Sequence, residues 1–201
     1  MDFLSFAQAC GPLVDPVTTT AIVRTESGFD PLVLRDNTVH VTLHPRTRRE
    51  AENILANRLA AGHRLAIGLM QITNVWATRL KIEPQSFLDA CANITMGTAI
   101  LAADYQDCEK TGATPETALV CALSMYWSGS GRIGGAYVNR VFALAGSTMR
   151  VPETLGVTDG VLGLGAKSVA VPSFRVFHYR TQTFTYSDVS AAGFDFRKGE
   201  F

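Results

Sequence analysis

The sequence has no excess of charge of either sign, because 18 basic side chains balance 18 acidic ones. Without a net charge to attract nucleic acid or an anionic membrane, we expect neither as a partner. No apolar run approaches the roughly 18 residues that a membrane-spanning helix needs. The segment from Met1 to Cys10 carries Asp2 where a signal peptide would have basic residues, so an export signal is not expected in this sequence.

Several motifs of common metal and catalytic sites are missing as well. The four cysteines include no CxxC pair, which argues against a zinc site or a thioredoxin-type redox site. Ser128 lacks the GxSxG setting of a serine hydrolase. We therefore expect no metal and no cofactor. The histidines also lack HxxxH or HxH spacing, at His40, His44, His63 and His178.

The composition is that of a globular chain with a core of its own, since 47% of the residues are hydrophobic and 18% are charged. A length of 201 residues suits one domain of about 150 residues with a tail. After Gly146 glycine becomes frequent, and residues 174–186 are rich in aromatic and β-branched side chains, where a hairpin or an ordered extension is predicted. We divide the chain into a domain over residues 1–146 and an extension over residues 147–201, whose role the sequence does not indicate.

Capping residues and apolar spacing predict a mainly helical fold for the first part of the chain. Asp15 and Pro16 form an N-cap with a first-turn proline, and they open a helix that ends near Glu26. The capping-box spacing of residues 47–50 opens another helix, which Gly62 stops. Further helices are predicted over residues 93–108, 115–126 and 137–145, and residues 30–46 are predicted to form a loop.

Glu26 is the candidate catalytic residue. It lies four residues after Ile22 and so faces the same side as the apolar stripe of its helix, where it should be half-buried. Burial and the partial negative charge of the helix C-terminus should both raise the pKa of this carboxyl. Such a group can act as a general acid near neutral pH, as cleavage of a glycosidic bond requires. The alternative is an ordinary solvated glutamate at a helix end.

Three further segments carry polar or aromatic side chains in suggestive settings. The apolar run over residues 66–72 is interrupted by Gln71, an amide that can donate to and accept from sugar groups, although a core strand or turn would fit equally. Asn93 most simply caps the helix that follows it. Tyr126 and Trp127 precede a glycine-serine loop, where aromatic faces could stack on sugar rings or fill the core.

Together and in this order, these segments resemble the family 23 lytic transglycosylases, which are lysozyme-like. Glu26-Ser27 matches the family's Glu-Ser, and residues 68–72 match its GLMQI. Residues 92–94 match AxNI, and residues 126–129 match YxxG.

Within this family the sequence is most similar to the VirB1 type of type IV secretion systems. A long segment with the helix over residues 45–62 separates the first two motifs, and Tyr137-Val138 with Val141 matches the closing YVxxV. The resemblance covers Phe3 to Ala145.

The resemblance implies a lysozyme-like, mainly α domain of the α+β lysozyme superfamily with a substrate cleft. It further implies that Glu26 protonates the bond between N-acetylmuramic acid and N-acetylglucosamine and then deprotonates the C6 hydroxyl, which closes to a 1,6-anhydro product. A single carboxylate is enough, because the substrate supplies the nucleophile. Gln71 and Tyr126 would hold the sugar and orient Glu26. The other residues expected to bind substrate or shape the cleft are Ser27, Gly68, Met70, Asn93 and Ser128.

The resemblance also implies partners and a location. Peptidoglycan glycan strands would be the substrate, subunits of a type IV secretion system are possible partners, and the periplasm is the expected compartment. Two positions depart from the family pattern. Ala66 stands where many relatives have an acidic residue, and Trp127 stands where many have asparagine.

Two alternatives stay open at this point. A lysozyme-type hydrolase of the same bond would need a second carboxylate near Glu26, for which Asp30, Asp36 and Glu50 are the candidates. A glycan-binding component for secretion-system assembly would not depend on catalysis at all.

The four cysteines either form two disulfides or stay as buried thiols. An enzyme of this kind would work outside the cytoplasm, where disulfides persist, and this favours the disulfides. Of the three possible connectivities we favour Cys10 with Cys91 and Cys108 with Cys121.

Overall fold

The computed structural model describes residues 2–154 and two short strands at Val157–Thr158 and Val161–Leu162. The mainly helical class expected from the sequence is confirmed. None of the helices in the described part is long and apolar enough to cross a bilayer. The helices are α1 (Phe3–Cys10), α2 (Pro16–Glu26), α3 (Arg48–Ala60), α4 (Asn74–Leu80), a 3-10 helix (Pro84–Leu88), α5 (Ala90–Glu109), α6 (Pro115–Ser128) and α7 (Gly135–Leu144).

Side-chain caps set the start of the longer helices. Asp15 accepts a hydrogen bond from Val17 N–H at the start of α2, and Thr47 accepts one from Glu50 N–H at the start of α3. The predicted cap of α5 was wrong, because α5 begins at Ala90 and Asp89 accepts from Ala92 N–H. Asn93 therefore lies inside the first turn of α5.

Two strands of a small antiparallel sheet lie within the loop predicted over residues 30–46. The strands of this sheet are β1 (Leu34–Asp36), β2 (Val41–Leu43), β3 (Leu65–Ile67) and β4 (Ile72–Thr73), in the order β2-β1-β3-β4. The loop prediction was wrong because each strand has at most three residues, too few for an alternating pattern to be visible. Strands β1 and β2 form a hairpin. This hairpin is stabilised by pairing of β1 with β3, which lies about 30 residues further along the chain.

Helix α5 runs through the centre of the domain and packs against α1, α6 and the 3-10 helix. Ile94 and Leu101 on this helix are buried in the core. Disulfides join Cys10 to Cys91 and Cys108 to Cys121, the pairing that the sequence analysis favours. Both ends of α5 are therefore covalently tied to a neighbouring helix, α1 at its start and α6 at its end.

The first residues of the predicted extension pack onto the helical domain. Asn139 Nδ2 donates to Val151 O at 2.8 Å, and Val151 N–H donates to Asn139 Oδ1 at 2.8 Å. Ala136 N–H donates to a carboxylate oxygen of Glu153 at 2.7 Å. The packed structure thus continues past residue 146. The segment over residues 174–186, where a hairpin or ordered extension is predicted, lies outside the described residues.

Candidate active site

Glu26 is the last residue of α2 and is partly buried. The helix buries Ile22 and Val23 on the side that faces the core, and this directs the following turn inwards. Ser27 caps the helix end, where its N–H and its hydroxyl both donate to Val23 O. Gly28 then adopts a φ of 59°, a left-handed conformation that ends the helix as the sequence predicts.

Burial raises the pKa of Glu26 to about 7. Three groups oppose this rise by favouring the ionised carboxylate: the Tyr137 hydroxyl, which donates towards it, and the positive charges of Arg35 and Arg140. The pKa therefore shifts in the direction expected from the sequence, with burial as its principal cause. At neutral pH the carboxyl is close to half-protonated, so it can both give and accept a proton.

Two tyrosines lie near Glu26, the partly buried Tyr126 and the buried Tyr137. The Tyr126 hydroxyl donates to Met70 O at 2.7 Å. Burial, and then the negative charge of Glu26, hold the pKa values of Tyr126 and Tyr137 well above the usual range. The Tyr137 hydroxyl is buried and has no hydrogen bond of standard geometry to any residue that the structure describes. Sequence reasoning noted Tyr137 only within the closing YVxxV motif and did not place it in the site.

A tight turn between β3 and β4 carries the second motif. Gly68 and Gln71 have φ values of 72° and 52°, and Gln71 N–H donates to Gly68 O. The Gln71 side-chain amide donates to Gly68 O at 3.0 Å and to Val33 O at 3.3 Å. Its nitrogen is thus occupied by the protein, and its Oε1 is the side chain's remaining acceptor.

Asn93 is fully buried beneath this turn, so the substrate contact expected of it was wrong, and it can shape the cleft only through the backbone that it holds. Its Oδ1 accepts from Met70 N–H at 2.7 Å, and its Nδ2 donates to Ile67 O and Phe87 O, each at 2.8 Å. A Cβ at Gly68 would approach Asn93 Nδ2 to 2.6 Å, so only glycine fits above the amide. Asn93 therefore holds the turn and cannot reach a ligand.

The expectation that Met70 lines the cleft was also wrong. Its side chain is fully buried, and it packs against the α-carbon of Gly97 on α5, where a Cβ would collide with the Met70 sulfur. Only the backbone carbonyl of Met70 belongs to the site, as the acceptor of the Tyr126 hydroxyl.

The end of α6 brings the fourth motif to the site. Helix α6 stops at Ser128, and Gly129 takes a left-handed φ of 74°. The Ser128 hydroxyl bonds to backbone groups of Ser124 and Ser130, so it holds the turn together. The Trp127 indole is exposed and stacks on the Tyr137 ring.

The three carboxylates proposed from the sequence for a hydrolase are engaged elsewhere. Asp30 contacts His44 at 3.1 Å on the surface. Asp36 is fully buried, 2.6 Å from His63 Nδ1 and 3.3 Å from Arg58. Glu50 accepts a hydrogen bond from Arg46 N–H at the start of α3.

A further carboxyl near the site was missed. Burial, and then the charge of Asp107, raise the pKa of Asp104 on α5 to about 7. The charge of Asp104 also contributes to the raised pKa of Tyr126. No sequence signal could have found Asp104, because an isolated aspartate beside a buried stripe is usually solvated.

Arg35 and Arg140 supply positive charge around Glu26. Arg35 lies on β1 opposite Ala66 of β3, and Arg140 lies on α7. Both are exposed, and neither forms an ion pair with a carboxylate in the described part of the chain. Within that same part, no three histidine, cysteine, aspartate or glutamate side chains are grouped as a metal site would require.

Comparison with known proteins places these residues in a family. Residues 3–142 match the family model described as the transglycosylase SLT domain. "Protein virB1" of Agrobacterium fabrum is 35% identical over 142 residues, which are 70% of this chain and 58% of that protein. "Type IV secretion system protein virB1" of Brucella abortus biovar 1 is 30% identical over 157 residues, 74% of this chain and 66% of that protein.

The chain thus spans about three fifths of the length of the virB1 proteins that it matches. No solved structure is similar enough to count as a match. The segment that matches the family model includes Glu26, the turn over residues 68–71 and the end of α6. The chain belongs to the transglycosylase SLT domain family.

Proposed function

We propose that this chain is a lytic transglycosylase that cleaves the β-1,4 bond between N-acetylmuramic acid and N-acetylglucosamine in peptidoglycan and leaves a 1,6-anhydro product. One observation carries the proposal: a partly buried glutamate at a helix end, with a pKa of about 7, in a chain that matches the transglycosylase SLT domain. A carboxyl of this pKa can serve as acid and then as base at neutral pH.

Glu26 acts first as the acid. Its proton moves to the glycosidic oxygen as the bond from that oxygen to C1 breaks and the bonding electrons stay with the leaving sugar. The 2-acetamido oxygen of the same muramoyl residue stabilises the positive charge that develops at C1. Burial favours this step, because it disfavours the ionised carboxylate before the transfer.

Glu26 acts next as the base. The carboxylate takes the proton of the C6 hydroxyl while O6 bonds to C1, so the glutamic acid is regenerated and no water is consumed. Between the two steps the carboxylate is stabilised by the Tyr137 hydroxyl and by Arg35 and Arg140, the groups that lower its pKa.

Other residues of the site position the substrate and the acid. Gln71 Oε1 accepts from sugar hydroxyl or amide groups, since its nitrogen is already bound to the backbone. Tyr126 links α6 to the turn through Met70 O and keeps the turn beside Glu26. Ser27 and Ser128 shape the cleft by ordering the ends of α2 and α6.

A hydrolase is the less favoured reaction. Hydrolysis with a carboxylate pair needs one protonated and one ionised group. Asp104 is not among the groups that shift the pKa of Glu26, and its own pKa is raised to about 7, as is that of Glu26. Two carboxyls with raised pKa values suit proton transfer better than they suit a standing negative charge.

We further propose that the protein acts in the periplasm, where it opens the cell wall locally for a type IV secretion system. Similarity to proteins named virB1 supports this role. Two disulfides support an oxidising compartment.

Digestion of purified sacculi followed by mass spectrometry of the products tests the reaction. We expect anhydro-muramoyl ends from the wild-type protein and a loss of activity of at least 100-fold for Glu26→Gln, which keeps the shape but not the transferable proton. Reducing ends without anhydro-sugar would show a hydrolase instead. Equal lysis by both proteins would mean that catalysis does not depend on Glu26, and binding of sacculi without lysis would favour an assembly component.

A further inference from the structure

The Trp127 side chain is the most exposed of the large hydrophobic side chains in the described part of the chain. Its exposed fraction is 53%, against 46% for Ile133 and 45% for Leu4. Exposing an indole costs more free energy than exposing a smaller side chain, because its apolar area is larger. An indole that stays exposed beside an active site is therefore a candidate for ligand contact.

The indole is also held in one place. Its ring stacks on the Tyr137 ring, with 5.9 Å between the centroids and 19° between the planes. Gly134 lies against its edge, where a Cβ would come within 2.7 Å of Trp127 Cε3. The preceding residue, Tyr126, is fixed by its bond to Met70 O. A ring that is already ordered loses little conformational entropy when a ligand packs on it.

Tyr137 connects this ring to the proposed acid. Its ring supports the indole, and its hydroxyl lies against the Glu26 carboxyl. The exposed indole therefore lies one side chain away from Glu26. A strand whose glycosidic bond reaches Glu26 would extend past Trp127.

We propose that Trp127 is an aromatic platform on which a sugar ring of the glycan strand packs, next to the bond that is cleaved. This inference rests on the proposed function and names a binding contact of the same site. The C–H face of a pyranose ring is flat and weakly apolar, which suits contact with an indole face.

The surroundings of Trp127 favour a sugar over an apolar protein segment. In the loop that follows, residues 129–131, the Ser130 hydroxyl accepts from Arg132 N–H and keeps its own O–H as a donor for a sugar oxygen. A protein-docking surface would need a larger contiguous apolar patch. The family pattern has asparagine at this position, so the platform distinguishes this chain from many relatives.

Fluorescence provides a direct test, because the sequence contains two tryptophans, Trp76 and Trp127. In a Glu26→Gln, Trp76→Phe protein, the emission reports on Trp127 alone and the strands stay intact. Titration with peptide-free glycan strands should shift this emission to the blue and saturate. The matched Glu26→Gln, Trp127→Phe protein reports on Trp76, which lies on α4 under Arg79, and its emission should not shift.

Kinetics provide the second test. Trp127→Ala should raise KM for long glycan strands by roughly 3- to 10-fold, the size of one aromatic contact, and leave kcat within about twofold. Trp127→Phe should give an intermediate KM and guards against a folding defect in the alanine variant. Leu4→Ala removes a comparably exposed side chain on α1 and should change neither constant.

Each combination of results decides between the two proposals. The platform is overturned, and the proposed function stays intact, if the protein forms anhydro products but two readouts do not change. These are the Trp127 emission when strands are added and the KM when Trp127 is substituted. A saturating shift of Trp127 emission without cleavage by the unsubstituted protein would support the platform and overturn the transglycosylase. Absence of both binding and cleavage would overturn both proposals.

Discussion

Glu26 carries a free-energy cost that follows from its raised pKa. The native state holds the proton up to a pH of about 7, whereas the unfolded chain releases it near the ordinary glutamate pKa of 4.5. Between these values the native state binds more protons than the unfolded state, so this residue lowers stability as the pH rises. The same burial that prepares the carboxyl for acid catalysis therefore destabilises the fold at neutral and alkaline pH.

Replacement of Glu26 by glutamine should accordingly stabilise the protein at pH 8. We expect the free energy of unfolding to rise by at most about 3 kcal/mol there, with little change at pH 4, because glutamine carries no charge to desolvate. Urea denaturation of both proteins at the two pH values measures the difference. A variant that is less stable than the wild type at both pH values would contradict the assigned burial of the carboxyl.

The pKa of Glu26 should also determine how activity depends on pH. Activity should fall as the pH rises through about 7, because Glu26 loses the proton that it must donate. The Arg140→Gln variant removes a charge that lowers this pKa, so the falling limb should move to higher pH by a few tenths of a unit. Arg49→Gln on α3 is the control, since Arg49 is not among the groups that shift the pKa of Glu26. Identical profiles for the wild type and Arg140→Gln would contradict the proposed electrostatic role.

Sequence reasoning predicted the partial burial of Glu26 and the direction of its pKa shift, but it misjudged residues whose role depends on distant contacts. The type and position of Asn93 suggest a helix cap or a sugar contact. Its actual partners are backbone groups of Ile67, Met70 and Phe87, up to 26 residues away. Asp104 was missed for the same reason, because its desolvation depends on the packing of α5 and α6.

Asn93 stabilises the conformation of the turn between β3 and β4 by its hydrogen bonds to Ile67 O and Met70 N–H. We expect Asn93→Ala to lower the free energy of unfolding by on the order of 3 kcal/mol, because it leaves buried backbone groups without their partners. Activity should fall as well, although the residue does not reach a ligand, since Gln71 and Met70 O would lose their positions. Asn53→Ala, at an exposed site on α3, is the matched control for urea denaturation and sacculus digestion. Unchanged stability in Asn93→Ala would contradict the proposed clamp.

Long, capped elements were predictable and short ones were not. The starts of α2, α3 and α6 follow from Asp15, Thr47 and Thr114, whose side chains bond to N–H groups of the first turn. The prediction lacked α1, α4 and the β1–β2 hairpin. These elements have three to eight residues each, and packing against the rest of the domain stabilises them more than local preference does.

At the scale of the whole molecule, the two disulfides should contribute unequally to stability. The bond between Cys10 and Cys91 spans 81 residues, and that between Cys108 and Cys121 spans 13. Loop-closure entropy gives about 4.5 kcal/mol for the longer loop and about 3 kcal/mol for the shorter. We expect the Cys10→Ser, Cys91→Ser protein to have the lower Tm of the two double variants. Differential scanning calorimetry compares the two variants. If the fully reduced wild type had the same Tm as the oxidised wild type, neither disulfide would contribute to stability.

The overall architecture was foreseeable through family resemblance rather than through periodicity. Motif order implied a lysozyme-like, mainly helical fold, and residues 3–142 match the family model, whereas the boundary after residue 146 stays a prediction. The residues beyond that match carry no motif, so their attachment to α7 could not be inferred from the sequence.

That attachment makes residues 151–153 part of the scaffold that holds α7 beside the proposed active site. The N-cap residue of α7 is Gly134, which has no side chain to accept from the free N–H groups of the first turn. Glu153 accepts from two of these groups, Gly135 N–H through its backbone oxygen and Ala136 N–H through its carboxylate. Truncation after residue 142, where the family match ends, would therefore loosen the first turn of α7. This turn positions Tyr137 next to Glu26 and under the Trp127 indole. A minimal active fragment has to retain Glu153.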